Sequence, residues 1–398
     1  MRDQWPLVIL GDHVDLVKGT SYRGEDLLPG SAMLVNLACI RPGGGFLSSG
    51  LKPFSGSYRP EHALHPGDLV LALTDVTQKG SVVGRPARLP KGPTESTFVA
   101  SLDLARVAAK SPLIHLEYLY YRLRARDYVG RVHGAATGTT VRHLSPRDVL
   151  SFQFRLPPLS EQRAIAEVLG ALDDKIEANA RVVDAIDGLV RVEVAAALTD
   201  TQREASLGDL LQRVSEIAKP HELDQMSLYV GLEHMPRGSL FLKSWGSGEA
   251  LASAKARFRP GDILFGRLRP YFKKVAVAPS LGVCSTDVLV LRPKVEEQAA
   301  FATVVCASDE VVDYASRGSE GTRMPRVSWD YLSRFRVPLP ADADLVGLDR
   351  RIAPLLHLGI HLPLESIALA RLRDTLLPKL VSGELGVRDA ESLVKAVV

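Results

Sequence analysis

Pro66-Gly67-Asp68-Leu69-Val70-Leu71 returns 194 residues later as Pro260-Gly261-Asp262-Ile263-Leu264-Phe265, and this recurrence decides how the rest of the chain is read. Pro-Gly punctuates a turn, and the short apolar run after it reads as a buried strand. Working outward, other anchors recur in the same order. Leu10-Gly11-Asp12 returns as Leu207-Gly208-Asp209, and Val35-Asn36-Leu37 with Phe46-Leu47 returns as Val230-Gly231-Leu232 with Phe241-Leu242. Gly138-Thr139, Asp148 and Phe154-Arg155-Leu156-Pro157 return as Gly321-Thr322, Asp330 and Phe335-Arg336-Val337-Pro338. The offset drifts from 197 through 195 and 194 to 183 and then 181, which describes a duplicated domain with a variable insertion before the Gly-Thr anchor. Each copy reads as an α+β domain. Strands are expected at Leu69 to Leu73, Val82-Val83, Ile263 to Phe265, Val275 to Val277 and Val288 to Leu291. Helices are expected from Pro112 to Tyr128 and from Ala299 to Tyr314.

A different pattern follows the first copy. Ile165, Leu169, Leu172, Ile176, Asn179, Val183, Ile186 and Val190 recur at alternating steps of four and three, a heptad seam that starts behind Pro157-Pro158 with Ser160 as N-cap. A helix of about 36 residues would be roughly 54 Å long, too long to hide its stripe in a small domain, so it needs a long partner. The tail supplies one: Leu345, Leu348, Ile352 and Leu355 begin a similar pattern, and Ile367, Leu369, Leu372, Leu376 and Leu380 resume it before Gly383. Pro354 and Pro363 predict a kink or break between Leu355 and Leu364. Asn179 either fixes the register of the pair or faces solvent where the seam drifts. The expected order is a globular domain over 1–157, a helical region over 158–200, a second domain over 201–340 and a second helical region over 341–398.

With 398 residues, 46% hydrophobic and 24% charged, the composition is that of a globular protein rather than a disordered one. There is no apolar run behind Met1-Arg2-Asp3-Gln4-Trp5 and no uninterrupted apolar stretch of about 18 residues, so neither export nor a membrane span is expected. Cys39, Cys284 and Cys306 are odd in number and far apart, which fits small core residues in a reducing cytoplasm. The net charge of +3 alone implies little, but the charge is unevenly placed. From Ser253 to Lys274 seven basic residues face the single acid Asp262, while Ser160 to Asp200 carries nine acids and four bases. Regional positive charge is what a phosphate-binding face requires.

The order of domains resembles the specificity subunit of Type I restriction-modification enzymes. The resemblance is carried by Leu156-Pro157-Pro158-Leu159-Ser160-Glu161-Gln162-Arg163-Ala164-Ile165-Ala166, by Leu172-Asp173-Asp174-Lys175-Ile176, and by the run from Leu372-Arg373-Asp374 through Leu377-Pro378-Lys379-Leu380 to Gly383-Glu384-Leu385. These look like the family's central and distal helical regions, although the stretch from Gly359 to Pro363 departs from the more continuous family pattern. The resemblance implies two target recognition domains, each reading one half of a split site in double-stranded DNA. It further implies two long antiparallel coiled-coil helices that set the spacing and dock two methyltransferase subunits, with endonuclease/translocase subunits in the full complex. S-adenosylmethionine, ATP and Mg would belong to those partners, with no cofactor bound by this chain and no catalysis of its own.

Candidate DNA contacts fall in two loops of each copy. After the buried strand, the second copy offers Arg267, Arg269, Tyr271, Lys273 and Lys274, and the first offers Thr74, Gln78, Lys79 and Arg85. Ammonium groups suit phosphates, guanidinium groups pair bidentately with guanine, and glutamine pairs with adenine. Before the exit strand, the first copy offers Thr139, Thr140, Arg142 and His143, and the second Arg317, Thr322, Arg323 and Arg326. Arg41, Tyr58 and Arg59 form a weaker third set. Thus the loops are polar in the first copy and basic in the second. An enzyme would need a site, and the sequence has no phosphate-loop signature, no acidic-aromatic Pro-Pro-Tyr motif, and no zinc-spaced ligands beside His62 and His65. Gly43-Gly44-Gly45 lacks a nucleotide-binding context, and Gly318-Ser319-Glu320-Gly321 falls one residue short of a nucleophile elbow. The alternatives are a nucleic-acid enzyme with dispersed catalytic residues and a scaffold with two degenerate domains.

Overall fold

The repeated Pro-Gly-Asp is a self-closing corner. Gly67 and Gly261 adopt φ of 87° and 83°, where a side chain would be strained. The aspartate after each glycine turns back, so that Asp68 Oδ2 accepts from the His65 amide and Asp262 Oδ2 from the Arg259 amide, both at 2.8 Å. The glycine amides donate to the carbonyls of Leu89 and Ala278, which ties each corner to the far end of a later strand. The structure is a computed structural model that describes residues 5–77, 79–90, 97–199, 201, 203–222, 228–248, 251, 253–321 and 323–396.

Eight strands recur in both copies. The first has β1 (Val14–Lys18), β2 (Ala32–Val35), β3 (Lys52–Phe54), β4 (Ala63–Leu64), β5 (Leu69–Ala72), β6 (Pro86–Arg88), β7 (Thr97–Ala100) and β8 (Leu104–Ala109). The second has β9 (Leu211–Val214), β10 (Leu228–Val230), β11 (Gly246–Ser247), β12 (Lys255–Phe258), β13 (Ile263–Gly266), β14 (Val275–Val277), β15 (Gly282–Cys284) and β16 (Val288–Pro293). One sheet runs β1-β8-β5-β6 in the first copy and β9-β16-β13-β14 in the second, antiparallel throughout. The other runs β3-β2-β7-β4 and β11-β10-β15-β12, with one parallel pair, β2·β7 and β10·β15, in the same place. In the second copy a short strand, Ile217–Ala218, extends this sheet beyond β12. The duplication read from the anchors is therefore a duplication of topology.

The Pro-Gly-Asp strands read as unbroken apolar runs because both faces are covered. On β13, Leu264 joins Val230, Phe258, Ala276 and Val290 in one core, whereas Ile263 and Phe265 join Phe301, Val304 and Val311 in another. Local readings fail at single residues. Each expected helix is two, Leu116–Arg122 with Arg126–Ala135 and Ala299–Cys306 with Asp309–Arg317, because one extended residue, Ala125 or Ser308, interrupts it. Ser308 Oγ accepts from the Val311 amide and so starts the second helix of its pair. Val82-Val83 is not a strand, since both amides are taken by the Asp75 carboxylate, and the strand is β6 instead.

The chain divides into two compact units, Met1–Asp173 with Arg371–Val398, and Asp174–Ala370. Each takes part of the central helix (Leu159–Ala197, 39 residues) and part of the distal helix (Asp342–Val381, 40 residues). The central helix opens on the Pro158 carbonyl, which accepts from the Glu161 and Gln162 amides, so Ser160 lies inside the first turn and is not the cap. The distal helix runs unbroken through Pro354 and Pro363, contrary to the expected interruption. A proline removes one internal bond, but here Leu345, Leu348, Ile352 and Leu356 before the second proline share one buried core with Val183, Ile186, Val190 and Val194 of the central helix. That packing holds the helix where its own hydrogen bonding is interrupted. By length and composition alone the distal helix could cross a membrane, yet those leucines are buried against protein. Asn179 lies buried in the seam and donates through Nδ2 to Glu365 Oε2 at 2.8 Å and to Ser366 Oγ at 3.3 Å, which ties the two helices in register.

In the first unit, the start of the central helix is pinned by Gln162. This fully buried side chain donates to the carbonyls of Leu113 and Pro157 and accepts from the His115 amide. Three turns on, Asp173 accepts from Tyr121 Oη at 2.9 Å and Arg124 Nη1 at 3.4 Å through Oδ2, and from Arg373 Nη1 through Oδ1. Burial first, and then the Asp173 charge, push the Tyr121 pKa well up, so its phenol remains a donor. The motif residues of the resemblance are thus joints between the domain and its two helix segments. The distal helix ends where Gly383 takes φ 70° and the Lys379 carbonyl accepts from the Glu384 amide, with Trp5 packed against the glycine. All three cysteines are buried and free, and burial pushes Cys284 and Cys306 up to about 12.

Candidate nucleic-acid interface

In each unit the loop after the Pro-Gly-Asp strand and the hairpin before the exit strand meet. In the first, Thr74–Asp75 pairs antiparallel with Arg142–His143, and Thr137 and His143 exchange two backbone hydrogen bonds across the hairpin. In the second, Leu268 bridges to Arg326, and Glu320 and Arg326 exchange the same two bonds. The tips turn at Gly138 (φ 105°) and Gly321 (φ 102°), which accounts for the recurring glycine.

The first-unit loop is wired by Asp75. Its carboxylate accepts from the Thr77, Val82 and Val83 amides. Burial opposes its ionisation, but these bonds and the Thr77 hydroxyl outweigh burial and hold the group below the usual carboxylate range. The bonds are therefore intact above that range and lost only as the pH falls through the lowered value. Asp75→Asn, which trades one acceptor oxygen for a donor, is expected to free the loop at a cost of about 1–3 kcal/mol. Hydrogen exchange at Val82 and Val83 measures this, and unchanged protection at both would refute it. Around this loop Thr74 is buried in the strand pair, Lys79, Thr139, Thr140 and His143 are exposed, and Arg142 lies over Gly80. Arg85 is half-buried with an unbonded Nε, and burial and the neighbouring Arg124 charge lower its pKa. Gln78 and, in the second unit, Thr322 lie outside the described residues.

The second-unit loop is built differently. Arg269 and Lys273 are the described non-glycine residues with left-handed backbone, φ 51° and 53°, and they flank a single turn, Pro270–Phe272, that leaves Tyr271 52% exposed. Such conformations cost of order 1–3 kcal/mol each and gather at functional loops. Arg269 Nη2 donates to the Arg323 carbonyl at 3.2 Å, joining loop to hairpin. Lys273 is taken up by Asp309 at 2.7 Å, a hydrogen bond that raises its pKa, while Lys274 donates inward to the Leu232 carbonyl, and desolvation lowers its pKa. The side chains of Arg317 and Arg323 are exposed with no hydrogen bond or ion pair among the described residues. Arg267 and Arg326 line a cleft of about 480 Å³ with Gly318, Glu320, Gly321, Met324 and Ser328.

The two main sets of candidate residues therefore converge within each unit. Of the third set, Arg59 pairs with Glu61 and Tyr58 packs on Phe54, while the Arg41 turn reaches the first-unit loop through the Gly43 amide, which donates to the Ser81 carbonyl at 3.3 Å. Sequence reasoning missed Glu320, and it missed Asp287, whose carboxylate grips Arg326 through Nε at 2.7 Å and Nη2 at 3.3 Å. A signal existed, because Ser101-Leu102-Asp103 before β8 recurs as Ser285-Thr286-Asp287 before β16.

No family model matches the chain. Over 322 residues the chain is 25% identical to the Type I restriction enzyme EcoDI specificity subunit of Escherichia coli, covering 69% of this chain and 71% of that protein. Among solved structures, the S subunit of a Type I restriction-modification system from M. genitalium is similar in fold, with TM-score 0.62, 18% identity and coverage of 95% and 96% of the two chains. The HsdS subunit from Thermoanaerobacter tengcongensis aligns over 96% of this chain and 97% of its own, at 18% identity and TM-score 0.37. With the helical motifs now placed as joints on the two long helices, and with the curated likeness extending over two thirds of the sequence, the chain is similar to the specificity subunits of Type I restriction-modification enzymes.

Proposed function

We propose that this chain reads DNA for a Type I restriction-modification complex, each unit's paired loops contacting one half of a bipartite double-stranded site. The observation that carries this reading is the contrast between backbone and side chains. The same backbone bonds hold loop to hairpin in both units, yet the loops present threonines, His143 and Arg142 in one and an arginine-rich surface in the other. A constant mount with changed side chains is what two readers of different sequences need. The curated relative is named as a specificity subunit, which supports the assignment. In this reading the chain is non-catalytic and works in the cytoplasm. The long helices set the distance between half-sites and dock two methyltransferase subunits, which bind S-adenosylmethionine, while ATP and Mg serve the endonuclease/translocase subunits.

The test is a binding selection on randomised duplexes with the chain and its copurifying partners. Two short sequence blocks separated by a non-specific gap are expected. Inserting one heptad into both long helices adds about 10.5 Å, or about three base pairs of gap. A motif without two blocks would sink the reading, and an unchanged gap would sink the spacing role of the helices.

A further inference from the structure

We propose that Arg326, buttressed by Asp287, reads guanine for the second domain, and that His143 occupies the equivalent reading position of the first. This rests on the reading of the chain as a DNA-binding subunit and assigns it specificity-determining residues. The equivalence comes from backbone wiring alone. The Leu73 amide donates to the Asp103 carbonyl at 2.8 Å, as the Arg267 amide donates to the Asp287 carbonyl at 2.9 Å. The Leu144 amide donates to the Leu73 carbonyl, as the Val327 amide donates to the Arg267 carbonyl. With the two exchanged bonds of each hairpin, these matches place 143 opposite 326 and 103 opposite 287.

The side-chain geometry then singles out Arg326. Asp287 occupies the Nε and Nη2 side of the guanidinium, so the Nη1 and Nη2 edge is left with parallel N–H groups and, among the described residues, only a 3.4 Å contact from Nη1 to the Met324 carbonyl. Two parallel donors are what the O6 and N7 acceptors of guanine take in the major groove. The carboxylate removes rotational freedom that a free arginine would lose on binding, so the edge is pre-organised. Arg326 lies on the cleft also lined by Arg267, with its side chain 38% exposed. By contrast Lys273 and Lys274 are engaged within the domain, and the unpaired Arg317 and Arg323 suit phosphates. Asp287 is thus a positioning residue, acting through Arg326.

The binding selection, run on the full chain with its partners, tests this. Arg326→Gln is expected to lower the preference for guanine at one position of one block by about five- to 150-fold, leaving the other block intact. Asp287→Asn should lose the same position and Asp287→Glu should restore part of it, a base-specific readout that a merely structural role would not move. His143→Ala should alter the opposite block only. The proposal is overturned if Arg326→Gln leaves every position unchanged or weakens all sequences alike, or if Asp287→Asn lowers thermal stability without altering base preference. If Asp287→Asn does not fold, Arg326→Gln, which removes a partly exposed group, decides alone. A wild-type chain that enriches no sequence would overturn the DNA-reading function itself, before any variant is compared.

Discussion

Val190→Asp is expected to destabilise the second unit by about 4 kcal/mol or more, while Val192→Asp, two residues along the same helix, should stay within about 0.5 kcal/mol. Val190 is 0% exposed in the core that holds Leu348 and Ile352 of the distal helix, whereas Val192 is 66% exposed. A carboxyl group at Val190 must be buried without a partner or drive the helices apart, and either outcome forfeits the packing that carries the distal helix past its prolines. Urea unfolding followed by near-ultraviolet circular dichroism gives both midpoints. Equal shifts for the two variants would mean that the seam is not where the helices are held.

Asp173→Leu is expected to cost the first unit about 3–5 kcal/mol, because it leaves Arg373 and Arg124 in a mostly buried site without their anion. Arg373→Met should cost less, about 1–3 kcal/mol, since Asp173 keeps Arg124 and the Tyr121 hydroxyl. The double variant should recover part of the loss, because replacing both members of a buried pair by apolar groups removes the unpaired charge. Thermal unfolding of the three proteins separates the cases. Strictly additive losses would show that Asp173 and Arg373 do not depend on each other.

What could be read from the sequence was whatever repeats with a period or in order. The seam from Ile165 to Val190 was legible because burial follows the three-four spacing, and only Ile176 among its apolar members is half-buried. The duplicated domain was legible because its corners need glycine and aspartate for backbone reasons. Single-residue events were not: Ala125 and Ser308 break helices without disturbing the apolar pattern, and Asp75 takes two amides that a β signal assigned to a strand. Pro354 and Pro363 misled because local propensity yields to tertiary packing. At the candidate interface the residue types were legible, but which cations are spent inside the domain was not. Lys274 turning to the Leu232 carbonyl and Asp287 gripping Arg326 depend on neighbours 42 and 39 residues away.

The corners that mount the loops close on themselves. Pro-Gly-Asp satisfies its own turn, and the Ser-x-Asp corner holds the loop through a carbonyl rather than a side chain. The strands between the corners carry core residues, but the connections from β5 to β6 and from β13 to β14 can differ in length while those strands keep their pairing. The two copies already differ by eleven residues between the Pro-Gly-Asp and Gly-Thr anchors without a change in strand order. Drift at the exposed positions of these connections spares the core, so on the reading proposed above a lineage carrying such a chain can acquire new targets without first acquiring spare stability.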